Sequence, residues 1–202
     1  MRQVNYNVKI EKFGRHFFSM KNQIIKSMLI IIFGFLFLSQ TSISAEKNLQ
    51  KCKEFSSIGL HLPAIEQCQK AMRDGVNREA ELELLYYLAN SYSSINKNKL
   101  AKEAITKLLN ASPSISAYDY YLAGLIEIKL NNNKEAIFYL EKAILGEPNS
   151  ISIKRQLARA LFQSGDTRKA NLILTGNFYE DSSDTQSMTQ LSENLISEGN
   201  LI

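Results

Sequence analysis

Tryptophan is missing from these 202 residues, proline occurs three times and glycine nine times. So few breakers over such a length favour helices. Histidine is almost absent as well, with His16 near the start and His61 further on. The two cysteines, Cys52 and Cys68, form neither a CxxC pair nor a CxxCH haem signature. With His61 they would make three ligands, one short of a closed zinc site. No Gly-rich phosphate loop or nucleophile elbow occurs. The carboxylates are spread along helix faces and read as solvated surface. No enzyme activity, cofactor or metal is therefore expected; the dissenting reading is a metal-binding or enzymatic protein using Cys52, His61 and Cys68.

A basic excess is missing too, once the chain is divided. The formal charge is +4, but residues 1–45 hold six Lys/Arg and one acid, leaving 18 basic and 19 acidic residues in 46–202. The body thus lacks the electrostatic footprint of a nucleic-acid binder.

Long apolar runs are limited to one, "MLIIIFGFLFL" (28–38), followed by "SQTSISA". A basic region, a short apolar core and small residues describe a secretory signal, with cleavage expected after Ala45 or after Ser44. A start at Met20 would give that leader a more ordinary length. The alternative is an uncleaved anchor, although a spanning helix needs roughly 20 apolar residues and Lys26 interrupts the extension. No cysteine directly follows the core, so lipid attachment there is not expected.

What the chain does have is a repeat. Ala64, Ala101, Ala136 and Ala170 each open an apolar-periodic segment, at separations of 37, 35 and 34 residues. Four residues on stand Cys68, Ile105, Leu140 and Leu174, and seven on Ala71, Leu108, Ala143 and Asn177. Pro113 and Pro148 follow two of the four. Each segment has a helical partner before it, at 48–59, 82–94, 117–130 and 153–165. A small residue sits twelve before each alanine: Cys52, Ala89, Gly124 and Ala158. Small residues at both places let two antiparallel helices approach closely. Gly59, Asn96, Asn131 and Gly165 fall between them as turn residues, and "YYLA" recurs at 86–89 and 120–123. Ser116 with Asp119 forms a capping box, Asp166 caps the segment carrying Ala170, and Asn132 or Asn133 the one carrying Ala136. The polar run "YEDSSDTQS" (179–187) reads as a loop.

This pattern resembles the tetratricopeptide repeat (TPR) over roughly 46–180. The resemblance implies an all-α, right-handed α-solenoid of about four helix-turn-helix repeats. Residues 1–45 are then a signal peptide, 46–180 the repeat domain, and 181–202 a loop with a capping helix (about 185–199) or partial fifth repeat. An end helix with a polar outer face is expected. The family's large aromatic early in the first helix is Tyr or Leu here, and a generic bundle of amphipathic helices is the alternative.

In this family the first helices line the concave surface. The register then places Lys53, Tyr86, Asn90, Tyr121, Leu125, Arg155 and Arg159 in the groove, while Tyr92 and Tyr120 pack inside. Asn90 fits one place of the chaperone-tail clamp known in some members, but Tyr86 replaces its lysine, so that clamp is not expected. The register also brings Cys52 and Cys68 to one helix–helix contact; in an oxidising compartment a disulfide is expected, against two buried thiols packing as small apolar groups. The resemblance implies a non-catalytic scaffold exported to the periplasm. It would bind a protein or extended peptide in the groove, in envelope assembly, secretion or cell division. The other reading is an inner-membrane-anchored accessory subunit, similar to TPR proteins beside a translocon. The sequence does not give the oligomeric state.

Overall fold

The computed structural model describes residues 28, 43–197 and 199. Nine helices follow one another, with no strand among the described residues. The described part of helix α1 is 43–57, followed by α2 His61–Asp74, α3 Arg78–Ser94, α4 Asn98–Ala111 and α5 Ala117–Lys129. The chain continues through α6 Asn133–Gly146, α7 Ile151–Gln163, α8 Thr167–Glu180 and α9 Thr185–Ser197. The leader proposed for 1–45 lies almost wholly outside the described residues. Of these, no helix is long and apolar enough to cross a membrane.

The helices pair because each carries one apolar stripe it cannot bury alone. Cys52, Ala89, Gly124 and Ala158 are buried on α1, α3, α5 and α7; facing them, Ala64, Ala101, Ala136 and Ala170 have no exposed surface. Large side chains fill the space on either side, among them the fully buried Leu84, Ile126, Leu140 and Leu174. Each such burial contributes about 1.5–3 kcal/mol. The closest approach is at Gly124, where a β-carbon would stand 2.6 Å from Leu140 Cγ and 3.4 Å from the Ala136 carbonyl oxygen.

One turn is used four times. Gly59, Asn96, Asn131 and Gly165 have φ of 79°, 60°, 59° and 93°. This is the left-handed region that glycine and asparagine tolerate. The residue after each donates its backbone N–H five residues back: Leu60 to Phe55, Lys97 to Tyr92, Asn132 to Glu127 and Asp166 to Leu161, at 2.8–2.9 Å. This is the Schellman closure of a helix C-terminus. It turns the chain sharply enough for the second helix to fold back on the first.

From α2 onward each helix packs on its neighbour in the chain, and beyond that, among the described residues, only first helices come close: α3 with α5, α5 with α7, α7 with α9. Among the described residues the second helices α2, α4, α6 and α8 do not touch one another. First helices therefore crowd along the inner wall, and second helices spread along the outer one. The result is a right-handed α-solenoid of four helix-turn-helix repeats closed by α9.

Several local expectations need correction. The polar run 179–187 is mostly helix; only 181–184 links α8 to α9. Its acids mimic a loop because they cap: Asp181 accepts from the Ser183 N–H (2.9 Å) and Asp184 from that of Ser187 (3.2 Å). Asn132 occupies the N-cap position of α6, but its side chain does not cap. It donates instead to Glu127 Oε2 at 2.6 Å, a buried carboxylate that Lys102 also meets at 2.9 Å. Ser116 and Asp119 do form the reciprocal capping box, and Asp166 accepts from the Lys169 N–H. Helix α3 starts at Arg78, earlier than its apolar pattern, because Asn77 accepts from the Ala80 N–H.

The capping helix departs from the expected polar outer face. Its inner contact is polar: Asn177, fully buried where earlier repeats have Ala71, Leu108 and Ala143, donates to Ser187 Oγ (3.2 Å), and Asn194 donates to Asn171 Oδ1 (2.9 Å). Its outer face exposes Met188, Leu195 and Ile196 among polar residues. Helix α9 keeps the apolar stripe of a first helix: Leu161, 34 residues before Leu195, is covered by the second helix of its own repeat.

Candidate functional site

The inner wall is built from two places on each first helix, three residues before and one after the small residue of the close contact. They hold Leu49 and Lys53 on α1, Tyr86 and Asn90 on α3, Tyr121 and Leu125 on α5, Arg155 and Arg159 on α7. The seven residues expected in the groove are, by the register that chose them, those at these places other than Leu49, and none is fully buried. Adding one repeat reaches Thr189 and Glu193 on α9.

Neighbouring first helices link these side chains in series. Lys53 Nζ meets Glu83 at 2.6 Å, and Asn90 Nδ2 donates to Ser56 Oγ at 3.4 Å. Tyr86 packs edge-on against Tyr87 at 5.6 Å between centroids. Burial, and then the Asp119 carboxylate, push the Tyr86 phenol above its ordinary 10.0; Tyr118 adds to the same effect from α5. Burial likewise raises Tyr121, which the Arg155 guanidinium draws partly back. Tyr86 and Tyr118 thus lie near each other across α3 and α5, and Tyr121 lies near Arg155 across α5 and α7. Tyr92 and Tyr120, expected inside, are half-buried against the core.

Charge is distributed differently from the simple basic track. Arg155 is mostly buried and faces Asp184 at 3.7 Å, so its charge is largely compensated. Arg159 is exposed and has no carboxylate within ion-pair distance among the described residues. It lines a cleft of about 490 Å³ between α7 and α9, with Phe162, Gln186, Gln190 and Glu193 on the other sides. Sequence reasoning missed this cleft and Asp184. Glu193 was reachable, since it stands one repeat beyond Arg159; Asp184 was not, because loops carry no register.

Cys52 and Cys68 are joined by a disulfide with a Cα separation of 5.1 Å, tying α1 to α2. Their sulfurs bond each other, so neither offers a thiolate to a metal. The reading that used them with His61 therefore loses two of its three ligands. Among the described residues no cluster of three metal-ligating side chains occurs.

The raised groups make one prediction. Lys102 is held above its ordinary 10.5, first by its hydrogen bond to Glu127, and the Tyr86 and Tyr121 phenols are raised above 10.0. A pKa raised on folding means the native state binds the proton more tightly. That stability is fully present below the unfolded values and is lost as pH rises through the folded ones. Urea midpoints should fall once pH exceeds 10.0–10.5, with a smaller fall in Lys102→Gln. An identical alkaline profile for that variant would remove the Lys102–Glu127 pair from the account.

Residues 120–149 match the family model described as tetratricopeptide repeat. No curated protein matches the chain. Among solved structures it is similar to YrrB, described as a TPR protein with an unusual peptide-binding site, with 19% identity over 76% of this chain and 77% of that one and a TM-score of 0.63. MamA is similar at 17% identity, 77% and 83% coverage and a TM-score of 0.65. A MamA chain from Desulfovibrio magneticus RS-1, starting at its residue 41, gives 22% identity, 69% and 77% coverage and a TM-score of 0.61. At these identities the likeness is one of fold.

Proposed function

We propose that this chain, which matches the tetratricopeptide repeat over 120–149 and shares the fold of solved tetratricopeptide-repeat proteins, is a non-catalytic scaffold holding an extended peptide or protein segment in its concave groove. One observation carries the reading: half-exposed Tyr86, Tyr121 and Leu125, with exposed Tyr118 and Arg159, line the wall where first helices meet. Aromatic residues and arginine are the side chains that most often anchor an interface. The wall is fixed by packed helices, so binding orders little of the scaffold and costs little entropy. YrrB, similar in fold, is described as having a peptide-binding site.

Arg159→Glu and Tyr118→Ala are the appropriate probes, because both side chains are exposed. Arg155→Glu is not, since it would set a second carboxylate against Asp184. Protein captured from an envelope extract should be identified, and its peptides titrated against both variants. Affinity should fall at least about tenfold in each, with unchanged melting. Equal affinity would take the groove out of the site.

The place of action in this reading is the periplasm, reached through the 28–38 leader, with a role in envelope assembly, secretion or cell division. A second reading, anchorage in the inner membrane, is favoured by one observation. Helix α1 is described from 43, Ala45 is 2% exposed, and Ser44 Oγ donates to Asp74 at 2.8 Å. Cleavage after Ala45 would remove both contacts. Intact mass of the protein from its native envelope separates the two. A species starting at Glu46 supports export with cleavage; one retaining 28–38 supports the anchor.

A further inference from the structure

The outer wall carries a feature the groove does not explain. Phe138 and Leu145 on α6 are 53% and 84% exposed; Leu172 and Tyr179 on α8 are 73% and 83% exposed. Each pair is spaced seven residues, so both members lie on one helix face. The pairs are 34 residues apart, the same places on successive second helices. In the first two repeats those places hold Glu66 and Arg73, then Glu103 and Asn110. At these two places the second helices are therefore polar in repeats one and two and apolar in repeats three and four; the exposed Leu62 and Leu100 of the earlier repeats stand near the helix starts, at other places. Since α6 and α8 do not touch, a cleft of about 300 Å³ opens between them over Leu172, Ile173 and Gly176. Large exposed apolar side chains grouped at matching places of neighbouring repeats are the kind of surface that marks an interaction site.

The charges around the patch are arranged by end. Where α6 and α8 begin, Lys134, Arg168 and Lys169 are exposed with one exposed acid, Glu135; half-buried Asp166 holds Lys169 at 3.0 Å. Where they finish, Glu141, Glu147 and Glu180 are exposed, while the bases Lys142 and Lys154 are half-buried over the Phe138 ring and against Glu180. The patch is thus basic at one end and acidic at the other. A surface with that polarity complements itself when rotated by half a turn, which is the condition for an isologous two-fold contact.

We propose that the outer face of α6 and α8 pairs two copies of this chain about a two-fold axis, apolar centre on centre and basic end on acidic end. Two helices of this length side by side present roughly 400 Å² per partner. That is about half of a standard interface, so pairing belongs in the micromolar range or weaker. The groove stays open on the opposite wall, and the dimer presents two grooves facing away from each other.

Sedimentation of the purified full chain tests this. Wild type should be monomeric near ~1 μM and dimeric by ~200 μM. Phe138→Glu with Leu172→Glu should remain monomeric throughout. Glu141→Lys with Glu147→Lys makes both ends basic, and Lys134→Glu with Arg168→Glu makes both ends acidic. Each charge variant alone should be monomeric, and an equimolar mixture should form heterodimers, an outcome that poor folding cannot produce. A wild-type chain that stays monomeric leaves the face to a foreign partner and overturns the proposal. So does association that survives Phe138→Glu with Leu172→Glu, because it runs through another surface. Charge variants that keep native helical circular dichroism but do not pair when mixed overturn the two-fold geometry.

Discussion

Replacing Gly124 by leucine should lower the melting temperature by roughly 5–15 °C and loosen the middle of the stack. A β-carbon alone at that place would sit 2.6 and 2.8 Å from Leu140 Cγ and Cδ2, inside any real contact distance. Leu140 cannot move aside, because it is fully buried and held by the neighbouring repeat. The remaining escape is to part α5 from α6, which exposes the surfaces of Ala136 and Ile126 as well. Overpacking of a close contact costs about 1–3 kcal/mol, and more where backbone must shift. At this chain length each kcal/mol lowers the melting temperature by about 2–4 °C. Gly124→Ala is the informative control, since it carries only the β-carbon: it should lie between wild type and leucine. Leucine melting like wild type would mean that α5 and α6 do not meet at this residue.

Removing the disulfide should act on one end of the molecule. Cys52 and Cys68 are 16 residues apart, and closing a loop of that size contributes about 3 kcal/mol. Among the described residues the first repeat has a neighbour on one side only, so in a stack held by nearest-neighbour contacts it depends most on its own staple. In Cys52→Ala with Cys68→Ala, amide exchange should accelerate over 43–74 while the amides of α5 to α8 keep their protection. A uniform loss across all repeats would show the chain unfolding as one unit; no loss would show that packing of Cys52 and Cys68, not their bond, holds α1 to α2. Alanine fits the place of Cys52, which Ala89 and Ala158 fill in later repeats; at the place of Cys68 later repeats carry Ile105, Leu140 and Leu174, so Cys52→Ser with Cys68→Ser, which keeps side-chain size, is the control for lost packing.

The two experiments probe features of different legibility. Gly124 was readable as a contact residue because the repeat puts a small residue at the same place four times. The pairing of Cys52 with Cys68 was readable for the same reason, as was the left-handed turn at Gly59, Asn96, Asn131 and Gly165. The groove was legible only as an expected set of places. Its electrostatics were not: Arg155 reads as a groove cation, yet the linker before α9 brings Asp184 against it. Asn132 reads as a helix cap, yet a buried carboxylate in the preceding helix takes its side chain. Polar side chains choose partners by proximity in space, and a local pattern does not record that proximity.

By itself the sequence determined everything that repeats: two helices per unit, the small residues where they cross, the residue that turns the chain between them, and the order of units. A stack obeys the register because each unit meets only its neighbours, so a spacing along the chain is also a spacing along the solenoid. Only the tertiary structure decided which wall each side chain reaches, which charges are spent on each other, and that Phe138, Leu145, Leu172 and Tyr179 share one exposed face. Those properties depend on curvature, which arises because first helices touch and second helices do not. Curvature is a sum of small rotations between units, and no single segment of the chain encodes it.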